Sequence, residues 1–260
     1  MKNSTDEHVR KRVVHGVTLG ILMLDTGFER LPGDIGHAST WDFPVQYALV
    51  KGVTGPQVMS PGAGGSLDRF VEAAHDLVAL GVDGITTSCG FLAAYQSELQ
   101  ARCPVPIATS SLLQIPMISR VLPFGKRVGV LTARREAMTP AHLSQVGAPL
   151  DLPIAGLRET SHFFNSQLHN AASADPSRNF SDLLGCAQEL LAAHPDVGAI
   201  VSECTNFSPY SAALADTLKI PVFDIVSMIE WFHYGLRPKR FHTIHHEREN
   251  PSPPTPPKFE

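Results

Sequence analysis

Two segments decide the reading: Ile85-Thr86-Thr87-Ser88-Cys89-Gly90-Phe91 and Ile200-Val201-Ser202-Glu203-Cys204-Thr205-Asn206. Each is a short apolar run that ends in small polar residues and a cysteine. Residues 81–107 shifted by 115 positions (204 − 89) fall on 196–222 without a gap. Val82, Ile85, Cys89, Tyr95, Leu99 and Pro106 then meet identical residues at 197, 200, 204, 210, 214 and 221. Internal repeats of this kind set the architecture before any local feature does. A looser match pairs Leu19-Gly20-Ile21-Leu22 with Val128-Gly129-Val130-Leu131. The chain therefore reads as two copies of one unit.

Around the repeat, apolar strand-like runs recur at Val17–Leu24, Val45–Val50, Gly84–Ser88, Pro106–Thr109, Arg127–Thr132, Ala199–Ser202 and Pro221–Asp224. Helical periodicity fills several gaps between them. Phe70, Val71, Ala74, Leu77 and Val78 share one face of 67–80, and Leu183, Cys186, Ala187, Leu190 and Leu191 share one face of 183–193. Apolar strands alternating with helices predict parallel sheets covered on both faces, in an α/β fold.

Composition bounds the function. The 260 residues are 43% hydrophobic and 18% charged, which suits a folded core and excludes a disordered chain. A net charge of −4 argues against a nucleic-acid binder, which carries a basic face. Val17–Leu24 is too short for a membrane span, which needs about 20 apolar residues. His15 and the glycines around it, and the missing small-residue cleavage site, favour a buried strand over a signal peptide. The expected location is the cytoplasm, with no membrane or nucleic-acid partner.

Four cysteines are too few for a disulfide framework. Cys103 and Cys186 read as packing residues, because free cysteine is commonly a small buried hydrophobe. Cys89 and Cys204 differ, since each stands at a strand-to-helix turn. In open α/β sheets, ligands bind beyond the carboxyl ends of the strands. Two such units facing each other would place one thiol on each side of a shared cleft. No Cys/His spacing forms a zinc site, and His242, His245 and His246 read as part of a solvated, proline-rich tail. Pro61-Gly62-Ala63-Gly64-Gly65 follows no clear strand and reads as a flexible loop, not a phosphate loop.

Thr-Ser-Cys-Gly-Phe at 87–91 and Glu-Cys-Thr-Asn at 203–206, with Leu24-Asp25-Thr26-Gly27 after the first strand, resemble the aspartate/glutamate/hydantoin racemase superfamily. The resemblance covers about residues 13–235. It implies two pseudo-symmetric Rossmann-like α/β domains with the active site between them. The first would be discontinuous, 12–121 plus 222–240, and the second would span 122–221; 241–260 would be a disordered tail. A homodimer is implied too, with Trp231, Phe232 and Tyr234 as packing or interface residues.

The implied chemistry is that of an isomerase: cofactor-independent proton transfer at a carbon next to a carboxylate, with no metal. One cysteine removes the α-proton and the other returns a proton to the opposite face. Backbone amides at the two cysteine turns would stabilise the carbanion through the substrate carboxylate. By resemblance Cys89 and Cys204 are the acid/base pair, with Asp25 an acidic residue beside the first. Thr26, Gly90, Thr132, Thr205 and Asn206 fall on substrate-contacting positions; Thr132 also suits a cap for the segment at Arg134. Gly90 stands where Asn or Thr is usual, and Asn206 where glutamate racemases carry histidine, which weakens glutamate as substrate. Glu203 is placed either to raise the Cys204 pKa or to point away from the site. Lys51, Arg134 and Arg135 are weak candidates for gripping a distal carboxylate.

Three readings stay open. The first is a racemase or epimerase of an amino acid or related small carboxylate. The second is a relative of other chemistry, a maleate-type cis–trans isomerase or an arylmalonate-decarboxylase-like enzyme. Cys-Thr-Asn at 204–206 suits the isomerase, and Cys89 argues against the decarboxylase. The third is a non-catalytic binder of a small carboxylate.

Overall fold

In the computed structural model, residues 12–60, 63–168 and 175–241 are described. The first unit holds β1 (Leu19–Leu24), β2 (Val45–Val50), α1 (Gly55–Val58), α2 (Leu67–Leu80), β3 (Gly84–Thr87), α3 (Gln96–Arg102), β4 (Ile107–Ala108) and α4 (Ile115–Val121). The second holds β5 (Arg127–Thr132), α5 (Pro140–Ser144), β6 (Ile154–Gly156), α6 (Pro176–Ala193), β7 (Val197–Ser202), α7 (Ser211–Leu218) and β8 (Val222–Phe223), and α8 (Ile225–Leu236) follows.

Each unit builds a four-stranded parallel sheet, in the orders β2-β1-β3-β4 and β6-β5-β7-β8. The two orders are the same topology, and the expected α/β fold with two parallel sheets is what forms. The repeat holds at atomic detail. Beyond the paired strands, the Ser88 amide donates to the Leu22 carbonyl (2.9 Å) and the Glu203 amide to the Leu131 carbonyl (2.7 Å). Residues 88 and 203 are repeat mates, and so are 22 and 131. Gly20 and Gly129 are also mates. A Cβ at Gly20 would meet the Leu77 side chain at 2.8 Å, and one at Gly129 would meet Leu190 at 3.0 Å. Both glycines therefore let a long helix, α2 or α6, lie close on its sheet.

Strands β1, β3, β5 and β7 are buried on nearly every residue, which explains their unbroken apolar character. α2 spans the residues its periodicity predicts. α6 begins earlier than the expected 183, because Asp175 caps it through the Ser177 and Arg178 amides and Pro176 opens its first turn. β6 is three residues long, half-buried and at the sheet edge, too short for a strand pattern to show.

After β8 the chain packs on the first unit. Ile225, Met228 and Ile229 of α8 pack with Leu19, Ile21 and Ala108 of the first sheet. β8 still pairs with β7 of the second sheet. Trp231 and Tyr234 are exposed on α8, while Phe232 is half-buried against the first-unit core. Among the described residues no helix is long and apolar enough to cross a membrane. Ala63–Ser66 of the glycine-rich segment form a short turn leading into α2. His242, His245, His246 and the rest of the tail lie outside the described residues.

Candidate active site

In β2-β1-β3-β4 the strand order reverses between β1 and β3, and in β6-β5-β7-β8 between β5 and β7, with all strands parallel. Crevices open at such points, beyond the carboxyl ends of the strands. The loops that leave β1, β3, β5 and β7 meet there and enclose one cavity of about 50 Å³. Thr26, Phe28 and Arg30 line it from the β1 loop; Ser88–Phe91 from the β3 turn; Ala133 from β5; and Glu203–Asn206 from the β7 turn. Thr54–Pro56 and Met59 close one side.

Cys89 and Cys204 therefore share one cleft, each at the residue before a short 3₁₀ turn, 90–95 and 205–210. Both are buried free thiols. Burial pushes the Cys89 thiol up to about 12, and the Glu203 carboxylate adds to the rise; the Phe91 and Leu92 amides oppose it. Burial pushes Cys204 well above its ordinary value, with Glu203 the next cause. The Cys204 Sγ lies 3.8 Å from the Asn206 side-chain oxygen.

Hydrogen bonds across the cleft fix the two cysteine turns. The Thr205 hydroxyl donates to the Ser88 carbonyl (2.8 Å), and the Ser111 hydroxyl to the Ser202 carbonyl (2.6 Å). The Asn206 amide donates to Asp34 (2.7 Å), which also pairs with Arg30 at 2.6 Å. Arg30 in turn donates to the Thr26 hydroxyl (2.9 Å) and lies 4.5 Å over the Phe28 ring. Phe28, Arg30 and Asp34 were not legible as site residues. Their only signal is the Arg30–Asp34 spacing of four, which any surface helix can show.

The other expected site residues divide. Thr26, Gly90, Thr205 and Asn206 line the cavity. Thr132 is buried one layer behind it and donates to Glu203 Oε2 at 2.7 Å. It also accepts a long bond from the Arg134 amide, as a cap would. Asp25 is exposed and does not line the cavity; its carboxylate accepts from the Gly52 amide at 2.9 Å, fixing the turn after β2. Glu203 points inward, fully buried. Arg134 instead pairs with Glu159, and neither Arg134, Arg135 nor Lys51 lines the cavity. Cys103 and Cys186 are half-buried in apolar clusters, away from the site. No group of His, Cys, Asp or Glu among the described residues could hold a metal.

Solved structures share this architecture. Arylmalonate decarboxylase superposes with a TM-score of 0.54 at 17% identity, covering 84% of this chain and 92% of that one. Glutamate racemase of Francisella tularensis gives 0.52 at 13%, covering 85% and 81%. The fold is the one that these two enzymes share. No protein-family model matches the chain. Other relatives are nearer in sequence. A dimethylsulfoniopropionate lyase of Durusdinium sp. clade D is 25% identical over 226 residues, 84% of this chain and 74% of that protein. Dimethylsulfoniopropionate lyase 7 of Emiliania huxleyi is 27% identical over 238 residues, 87% and 69%. Lyase 5 of the same organism is 26% identical over 226 residues, and this chain spans 44% of its length. All these relatives are named as enzymes, of more than one reaction class.

Proposed function

We propose that this protein is a cofactor-independent lyase that acts on a small carboxylate with a leaving group on the β carbon, of the dimethylsulfoniopropionate class. The observation that carries the reading is the pair of buried thiols, one from each unit, in a single small cavity. The likeness to dimethylsulfoniopropionate lyases over more than four-fifths of the chain favours elimination over inversion.

The chemistry follows from carbon acidity. A thiolate takes the proton from the carbon next to the carboxylate, the new electron pair forms the C=C bond, and the C–S bond breaks. A sulfonium departs as a neutral sulfide, so the step needs no acid at the leaving group. Acrylate and dimethyl sulfide are the products, and the proton rests on a cysteine until solvent removes it. The cavity suits this use: it is small, and Phe28 and Phe91 shield the carbanion from water. The Phe91 and Leu92 amides at the Cys89 turn favour its thiolate form. The test is release of dimethyl sulfide from dimethylsulfoniopropionate, followed by headspace gas chromatography, with Cys89→Ala and Cys204→Ala as controls. Wild-type release with loss in both variants supports the reading; no release above the variants' level rejects it.

A second reading is the superfamily's two-base inversion of an amino acid or related carboxylate. Its support is specific: the thiols come from opposite units, so each can address one face of a planar carbanion. Incubation of aspartate, glutamate, hydantoins and maleate in deuterated water tests it. Exchange with inversion of the centre supports a racemase; conversion of maleate to fumarate supports a cis–trans isomerase.

A further inference from the structure

We propose that Glu203 is a positioning residue for the proton of Cys89: its carboxylate accepts that proton when the thiolate forms. The inference rests on the reading of Cys89 as an acid/base thiol and adds the group that makes it one.

The internal repeat supplies the first argument. The repeat mate of Glu203 is Ser88, whose hydroxyl does a local job, accepting from the Leu24 amide at 2.9 Å. A small hydroxyl therefore meets the structural need at this position in the first unit. The second unit places a carboxylate there, fully buried. Burying a carboxylate without full hydrogen bonding is costly. Thr132 occupies Oε2, while Oε1 is buried and has no hydrogen-bond partner.

The opposite wall is shaped to match. A Cβ on Gly90 would lie 2.4 Å from Glu203 Oε1 and 2.1 Å from the Glu203 carbonyl oxygen. The free oxygen thus occupies the space that a side chain after Cys89 would fill. It crosses from the β7 turn to the β3 turn, next to the residue that carries the thiol.

Among the groups that face Glu203, none hydrogen-bonds Oε1 in the resting structure, and the Cys89 proton is the one we assign to it. Cys204 precedes the same turn, Cys89 lies opposite, and Arg30 and Asp34 approach from the β1 loop. Arg30 is already paired with Asp34. His142 stands behind Phe91, edge-on to its ring at 5.3 Å. Burial pushes Glu203 up to about 7, against the pull of Thr132 and the Ala133 amide. The same carboxylate pushes both thiols up. Above about pH 7 the resting pair is therefore thiol and carboxylate. In the transfer, the Cys89 S–H bond breaks, an O–H bond forms on Glu203, and the negative charge moves to sulfur. One charge stays in the site throughout.

Alkylation of Cys89 by iodoacetamide tests this without any substrate. It is measured against pH by mass spectrometry of the Cys89 peptide. In the wild type the rate should rise through about pH 7, where Glu203 becomes a carboxylate. Glu203→Gln should slow the pH 8 rate by about 100-fold, the lower end for a lost general base, and erase that rise. If Glu203 only repels the thiolate, Glu203→Gln will alkylate faster, and the proposal is overturned. Thr132→Val is the second variant, should Glu203→Gln fail to fold. It removes a hydrogen bond that holds the Glu203 pKa down, so the rise should move to higher pH. An unmoved rise overturns the proposal. Failure of dimethylsulfoniopropionate turnover with these alkylation results intact would reject the substrate reading and leave the Glu203 assignment standing.

Discussion

Gly90→Ala is the substitution in which a single methyl group reads the geometry of the site. The added Cβ would sit 2.1 Å from the Glu203 carbonyl oxygen and 2.4 Å from Oε1. A relaxed carbon–oxygen contact is more than 3 Å, so the overlap is about 1 Å. Oε1 ends a side chain and can swing aside. The carbonyl belongs to backbone at the end of β7, where the adjoining amide is held by Leu131. It cannot move without the turn that carries Cys204. The clash must therefore part the two cysteine turns by roughly 1 Å, against the Thr205–Ser88 bond. Overpacking of this kind costs about 1–3 kcal/mol. At about 2–4 °C per kcal/mol for a chain of this size, the melting temperature should fall by about 2–12 °C. Activity should fall further than stability, because a displacement of about 1 Å at reacting groups costs on the order of 100-fold. The assays are thermal unfolding by circular dichroism and release of dimethyl sulfide. A variant with wild-type melting temperature and wild-type rate would refute the close approach of Gly90 and Glu203.

Other consequences follow from the same contacts. Asp34→Ala strands the nearly buried Arg30 and releases Asn206; breaking a buried pair costs about 3–5 kcal/mol, read by urea unfolding. A loss below about 0.5 kcal/mol would show that this network does not join the units. Glu203 also links stability to pH. Its folded pKa of about 7 lies above the ordinary 4.5, so the folded state holds the proton more tightly. That stability is fully present below about pH 4.5 and is lost as pH rises through about 7. The wild type should therefore lose about 3 kcal/mol relative to Glu203→Gln between pH 4.5 and 8. A difference that stays constant with pH would contradict the buried, charged Glu203.

Much of this was legible because the chain repeats itself. The identities at 85/200 and 89/204 mark the ends of β3 and β7, where the topology must place a ligand. Buried parallel strands write long apolar runs, so β1, β3, β5 and β7 were readable. β6 was not, since three edge residues carry no pattern. Asp25 was misplaced for a related reason: sequence proximity to β1 says nothing about which way a turn residue faces, and its carboxylate serves the Gly52 amide. Arg30 and Asp34 enter only through the path of the β1 loop and its contact with Asn206, 172 residues away from Asp34. The orientation of Glu203 was undecidable because strand alternation ends at Ser202, and only the space left by Gly90 turns its side chain inward.

On the proposed function, a thiolate in the cleft of two facing thiols removes the proton beside a carboxylate, and the β substituent leaves. Headspace measurement of dimethyl sulfide from purified protein and dimethylsulfoniopropionate tests it most directly. Release should be sustained in the wild type and disappear in both Cys89→Ala and Cys204→Ala. Release that persists in either variant, or a wild type no faster than the variants, would contradict it.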